Sequence, residues 1–169
     1  VTKGLELHDL AMELLSPRRD LRMWLRLNRS AATCRLDVGI TDDVQELLDV
    51  ARGGLNLIGS VFDVFELRHA EAKLVFLEGQ PKRAGDMVRA LMDDPVMRPA
   101  VTTNGRAEEL LADIELDLGN RQSARLAFVR AAGLYGKQEQ FRQATQCWQR
   151  AADLEALPVH NVDSIAGHS

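Results

Sequence analysis

The side chains best placed to do chemistry are the carboxylates crowded between residues 108 and 117: Glu108, Glu109, Asp113, Glu115 and Asp117. Glu109 and Asp113 share a helix face at four-residue spacing, which a general acid/base pair could use. An ordinary solvated or arginine-paired face needs the same spacing, and that reading is preferred. Cys34 and Cys147 fall within apolar stripes with no adjacent histidine, so neither is set up as a nucleophile. Two cysteines so far apart support neither a disulfide framework nor a cysteine-based zinc site, and both are read as buried thiols. The four histidines, His8, His69, His160 and His168, are scattered, whereas a metal site needs converging ligands. Gly54, Gly59 and Ser60 carry the glycine spacing of a phosphate-binding loop, but serine stands where the lysine should be and no strand precedes them. They are read as the breaker that starts a helix after Gly53. No HExxH, GxSxG, GxGxxG or CxxC pattern occurs. Asn28 and Ser30 form a chance match to a glycosylation acceptor, and Trp24 and Trp148 are read as core anchors. No enzyme, metal or cofactor is expected.

Whatever these residues do, helices must position them. Leucine (25) and alanine (20) dominate the 169 residues while isoleucine (4) and threonine (6) are scarce, which favours helix over strand. The five prolines punctuate helix ends, with Ser16 and Pro17 read as an N-cap and first helical residue. With 46% hydrophobic residues the chain can bury a real core as one domain, and its net charge of −4 gives no overall basic field for nucleic acid or an anionic membrane. No apolar run approaches a membrane span and the N-terminus has no signal-peptide core, so a cytoplasmic location is expected.

Gly39, Gly79 and Gly119 are spaced 40 residues apart, and other positions repeat with them. Ala32, Ala72 and Ala112 precede the glycines by seven, with Ala152 continuing the series, and Leu36, Phe76 and Leu116 precede them by three. After each glycine come Val44, Ala84 and Ala124, then Leu48, Val88 and Phe128, then Ala51, Leu91 and Ala131. These offsets place one apolar stripe on each side of a glycine turn, so each repeat reads as a long helix A, a tight turn and a shorter helix B. The predicted helices are 17–38, 41–52, 55–78, 81–93, 105–118, 121–135 and 139–156, after an opening helix at 5–15 that falls in the frame of a helix B. The segment 94–105, with two prolines, breaks or delays helix A of the third repeat. One helical-repeat domain is expected over 1–157, with repeats at about 17–53, 55–94 and 95–135, a closing helix at 139–156 and a tail at 158–169. The closing helix is read as a cap, with Phe141, Cys147, Trp148 and Ala151 on one side. Because the chain starts with valine, it is expected to be cut from a longer protein.

In this frame, residues 107–131 resemble a tetratricopeptide repeat: Leu111 and Ala112 before the turn, Gly119 in it, then Ala124, Phe128 and Ala131 in helix B. The 40-residue period is similar to the longer repeats of bacterial transcription regulators. The segment from 124 to 155 resembles the closing helices of such domains in actinobacterial regulators with an N-terminal helix-turn-helix. The resemblance implies an all-α fold, a right-handed superhelical stack of antiparallel helix pairs. It also implies a concave groove lined by helix A. By register from the small-residue position, that groove contains Arg26, Arg29 and Thr33 in the first repeat, Glu66, His69 and Lys73 in the second, and Arg106, Glu109 and Asp113 in the third.

Six arginines between residues 18 and 35 (Arg18, Arg19, Arg22, Arg26, Arg29 and Arg35) stand against one acid, Asp20. Arginine binds carboxylate or phosphate in bidentate fashion, so an acidic protein or peptide is the expected partner. Replacing Arg26 and Arg29 together by alanine is expected to weaken such a partner with helicity unchanged. A repeat stack has two ends, and the amino-terminal one lacks an obvious cap, so a homodimer or an attached upstream domain is expected. The function that follows is a non-catalytic interaction or effector-sensing domain, the regulatory part of a bacterial transcription regulator whose DNA-binding domain lies outside this chain. The alternative is a stand-alone scaffold that assembles protein complexes.

Overall fold

A computed structural model of the chain describes residues 6–8, 10, 11, 14–101 and 104–156. It is all-helical, with no strand among the described residues. The helices are α1 (Leu21–Leu36), α2 (Val44–Ile58), α3 (Val61–Leu77), α4 (Pro81–Asp93), the short α5 (Arg98–Val101), α6 (Arg106–Asp117), α7 (Arg121–Lys137) and α8 (Phe141–Ala156). Residues 6–8, 10, 11 and 14 of the expected opening helix are helical and Leu15 is not; residues 5, 9, 12 and 13 of it, Thr102, Thr103 and the tail after residue 156 lie outside the described residues.

The three glycine turns are the same turn. Gly39, Gly79 and Gly119 have φ of 77°, 77° and 79°, in the left-handed region that a Cβ disfavours. Each glycine N–H bonds the carbonyl three residues back (Leu36, Phe76, Leu116), and the following N–H bonds the one five back (Arg35, Val75, Glu115). These bonds satisfy carbonyls that a helix end leaves open. The turn from α7 to α8 repeats the pattern, Glu139 to Gly136 and Gln140 to Tyr135, with Glu139 itself at φ 58°.

The helix-B offsets bury as the repeat requires. Val44, Leu48, Ala51, Ala84, Val88, Leu91, Ala124, Phe128 and Ala131 are all buried, as are Ala32, Ala72 and Ala112 of helix A. The position three before the glycine behaves differently: Leu36 is buried and Phe76 half-buried, while Leu116 is exposed. Ala152 is exposed too, so the series stops at the third repeat. Consecutive helices pack on one another except α5 and α6, and α1 also touches α3, α3 touches α5, and α3 and α4 touch α6. The core is accordingly three successive clusters. Leu25, Leu36, Leu48, Leu55 and Leu67 centre the first. Phe65, Val88, Leu91, Leu110 and Ile114 centre the second, and Phe128, Tyr135 and Cys147 the third. Helix α3 contributes Leu67 and Leu74 to one cluster and Phe65 and Val75 to the next, which is why its apolar residues surround it rather than forming one stripe.

Several boundaries differ from expectation. Helix α1 starts at Leu21, not 17, because Asp20 is the N-cap and its side chain accepts from the Met23 N–H at 2.9 Å, leaving residues 17–19 in a turn. Gly53 and Gly54 break nothing: α2 runs through both, and Leu55 joins the core. A Cβ on Gly54 would lie 2.4 Å from Leu25 Cδ1, so the glycine lets α2 pass close against α1. Helix α3 starts at Val61, behind a capping box between Ser60 and Asp63. The proline-rich break of the third helix A is real and holds a four-residue helix, Arg98–Val101. On α8 the residues that pack are Ala144, Cys147 and Ala151, whereas Phe141 is 67% and Trp148 52% exposed. Trp148 is therefore no core anchor: α7 takes the small-residue line of α8, which lies partway round the helix from Phe141 and Trp148.

Candidate functional site

Six of the nine residues selected by register converge on one open cavity of about 560 Å3. Glu66, His69 and Lys73 of α3 face Arg106, Glu109 and Asp113 of α6 across it. Three- and four-residue spacing puts each trio on one face of its helix, and the repeat brings the two faces together. Asp37, Asn104, Leu110, Tyr135, Gln140 and Gln143 complete the wall, all outside the sequence selection. The helix-A register continued into the fourth repeat selects Gln146, Gln149 and Asp153, so Gln143 falls outside it. Asp37 and Gln140 belong to the turns, and Tyr135 to a helix B, so a rule confined to helix A passes them over.

The wall is polar and internally bonded. Lys73 Nζ donates to Asp37 Oδ1 at 2.5 Å, and Arg106 lies 3.6 Å from the same carboxylate. Arg106 Nη1 also donates to Glu66 at 3.2 Å, and Asn104 Nδ2 to the other Glu66 oxygen at 3.0 Å. Glu109 accepts from the Tyr135 hydroxyl at 2.5 Å. Burial, helped by the Glu109 carboxylate, raises the Tyr135 pKa well above the phenol range, so the hydroxyl keeps its proton and donates. Asp113 pairs with Arg150 of α8, whose guanidinium sits 4.1 Å over the Phe128 ring.

His69 lies at the centre of this wall and is 3% exposed. Its Nε2 donates to the Arg106 carbonyl oxygen at 3.2 Å, and its ring stacks on Phe65 with centroids 6.2 Å apart. Burial, then the nearby Arg106 and Lys73 charges, lower its pKa to about 3, so the imidazole is neutral at physiological pH. With the proton on Nε2, Nδ1 carries a lone pair, and no donor meets it.

Arg26, Arg29 and Thr33 lie outside the cavity. Arg26 grips Asp63 in a bidentate pair at 2.8 and 2.7 Å, and Arg29 approaches the same carboxylate at 4.0 Å. Burial opposes the charge on Asp63, but Arg26 and the Ser60 N–H and hydroxyl outweigh it and hold this carboxyl well below the usual range. Thr33 donates its hydroxyl to the Arg29 carbonyl within α1. Replacing Arg26 and Arg29 together would strip a nearly buried carboxylate of its cations and so cost stability. Arg18, Arg19 and Arg22 are exposed.

Four of the five carboxylates of the acidic helix are engaged, and the fifth, Asp117, is exposed. Glu108 pairs with Arg130, Glu115 with Arg89 and Asn120, and Glu109 and Asp113 as above. Histidine does approach one cysteine: His8 Nε2 lies 4.0 Å from Cys34 Sγ and 3.2 Å from the Ser30 hydroxyl, a contact made from 26 residues away that adjacency in sequence could not reveal. Burial nonetheless raises the Cys34 pKa, and pushes that of Cys147 up to about 12, the opposite of what a thiolate nucleophile needs. Asn28 is 1% exposed with its amide donating to the Trp24 carbonyl, so its glycosylation match is fortuitous. Among the described residues no group of three or more His, Cys, Asp or Glu could hold a metal ion, and no helix is long and apolar enough to cross a membrane. No family model, curated protein or solved structure matches the chain.

Proposed function

We propose that this chain is a non-catalytic interaction or effector-sensing domain, a right-handed tetratricopeptide-like stack whose concave face carries the site. The observation behind this reading is the cavity itself: equivalent positions of successive repeats, 66 with 106, 69 with 109 and 73 with 113, line one polar space of about 560 Å3. A repeat stack presents such a surface because each unit contributes the same helix face. The ligand is a peptide or a segment of a protein, and the domain works in the cytoplasm as the regulatory half of a bacterial transcription regulator. DNA would be met only through a separate helix-turn-helix domain. Binding across α3 and α6 would favour one pitch of the stack, and so one dimer arrangement, through unequal affinity for the two states.

Sequencing the intact reading frame around residues 1–169 tests the regulatory assignment. A helix-turn-helix upstream supports it; further 40-residue repeats alone replace it with a scaffold. Site-directed spin labels on α1 and α8 test the switch, which requires their separation to change when an effector is added.

A further inference from the structure

We propose that the open face of α8 is a self-association surface, on which a second copy of this chain lays its own α8 antiparallel. The inference goes beyond the regulatory reading and applies to a regulator or a scaffold alike.

The first observation is that α8 stands in the repeat as a helix A whose helix-B side is open. In the first repeat Leu25 and Ala32 of α1 share a cluster with Val44, Leu48 and Ala51 of α2. In the second, Phe65 and Ala72 of α3 share one with Ala84, Val88 and Leu91 of α4. Ala112 of α6 joins Phe128 and Ala131 of α7 in the third. One period on, α8 places Thr145 and Ala152 at these helix-A positions, and both are exposed. Phe141 and Trp148, 67% and 52% exposed, fall on the same stripe, because 141, 145, 148 and 152 advance at helical spacing. Large apolar side chains standing open along one stripe mark an interaction surface. The residues after α8 do not carry the helix-B pattern that would cover it: Ser164 and His168 stand at the offsets of Val44 and Leu48.

The second observation is that this face is complementary to itself. Turned end for end, the stripe lays Phe141 over Ala152 of the second copy and Trp148 over Thr145, so each large side chain meets a small one. Alongside it runs a polar stripe, Arg142, Gln146, Gln149 and Asp153, all exposed. The same reversal brings Arg142 onto Asp153 of the second copy and Gln146 onto Gln149. The apolar pairs centre between residues 146 and 147 and the polar pairs between 147 and 148, so the two registers agree to within about 1.5 Å. Among the described residues neither Arg142 nor Asp153 has an ion-pair partner within the chain. A twofold interface makes each contact twice, and antiparallel helix dipoles add to the attraction. Two such faces cover roughly 1,000 Å2, at the lower limit of specific interfaces, which places the dimer in the micromolar range.

The test is sedimentation equilibrium of the full chain from about 1 μM to 1 mM, with circular dichroism to check that each variant folds. A monomer–dimer equilibrium is expected, with Phe141→Glu raising its Kd at least about tenfold. Leu57→Glu, at an 85% exposed apolar position on α2, should leave it unchanged. Arg142→Glu and Asp153→Arg should each weaken the dimer at least about fivefold. Mixed in equal amounts, those two variants should regain the affinity of the unaltered chain, because each supplies the charge the other needs. A mixture no tighter than its components would overturn the antiparallel pairing. A dimer weakened by Leu57→Glu but not by Phe141→Glu would overturn the assignment to α8. A monomer throughout would overturn the proposal outright, and nuclear Overhauser contacts from the Trp148 ring to residues 157–169 would then give the face to the chain's own tail. None of these outcomes bears on the regulatory reading, which the sequence around residues 1–169 decides.

Discussion

His69 and Asp63 are the residues on which the surroundings act most strongly. His69 is neutral when folded, with a pKa near 3, but titrates near 6.5 when unfolded. As pH falls below about 6.5 the unfolded chain takes up the proton first, so stability declines towards pH 3, by about 1 kcal/mol per pH unit. His69→Gln keeps an N–H for the Arg106 carbonyl yet does not titrate. Urea unfolding at pH 7, 6 and 5 should show a flatter dependence in the variant; parallel curves would place the pH sensitivity elsewhere. Asp63 has the usual carboxylate sign: held low in the fold, it stabilises above about pH 4, and that contribution is lost as pH falls further. It also closes the α3 capping box and compensates Arg26. Asp63→Asn is expected to cost about 2 kcal/mol at pH 7, read as a lower denaturant midpoint at unchanged slope.

Turn chemistry sets the helices against one another. Three of the four equivalent turns use glycine in the left-handed region, and the fourth places Glu139 there at φ 58°. A side-chain-bearing residue in that conformation costs roughly 1 kcal/mol relative to glycine, offset in part by the freedom glycine loses on folding. Glu139→Gly should therefore raise stability by about 0.5 kcal/mol, whereas Gly79→Ala should lower it by about 1 kcal/mol; thermal melts of the two variants should move in opposite directions. Close approach governs α1 and α2 in the same way. The 2.4 Å that a Cβ on Gly54 would leave to Leu25 predicts that Gly54→Ala destabilises, although alanine is the better helix former. A stabilised variant in the same melts would show that Leu25 simply moves aside.

Across the whole molecule the core falls into three successive clusters that share helices α3 and α6. In such an arrangement each part depends chiefly on its neighbours. Phe128 is fully buried in the last cluster, beneath Arg150, so Phe128→Ala should cost about 3–4 kcal/mol. Native-state hydrogen exchange should then accelerate in α7 and α8 while α1 and α2 keep their protection. Uniform acceleration along the chain would show that the clusters unfold as one unit.

The sequence by itself determined the helices, their 40-residue period, the three glycine turns and the buried helix-B positions. All follow from local rules: a left-handed turn needs glycine, and an apolar stripe repeats at helical spacing. It also determined which faces of α3 and α6 are polar, and so six of the residues that line the cavity. The tertiary structure alone decided what those residues meet. That Asp63 neutralises Arg26, that Tyr135 reaches Glu109 and Arg150 reaches Asp113, and that His69 is buried with one nitrogen unsatisfied are contacts between residues 26 to 37 positions apart. Charge compensation and burial depend on which helices come into contact, and spacing along one helix carries no record of the side chains supplied by the next. For the same reason Trp148 reads as core within α8 and turns out half-exposed: the stripe exists in the sequence, but which part of it is covered depends on where α7 lies.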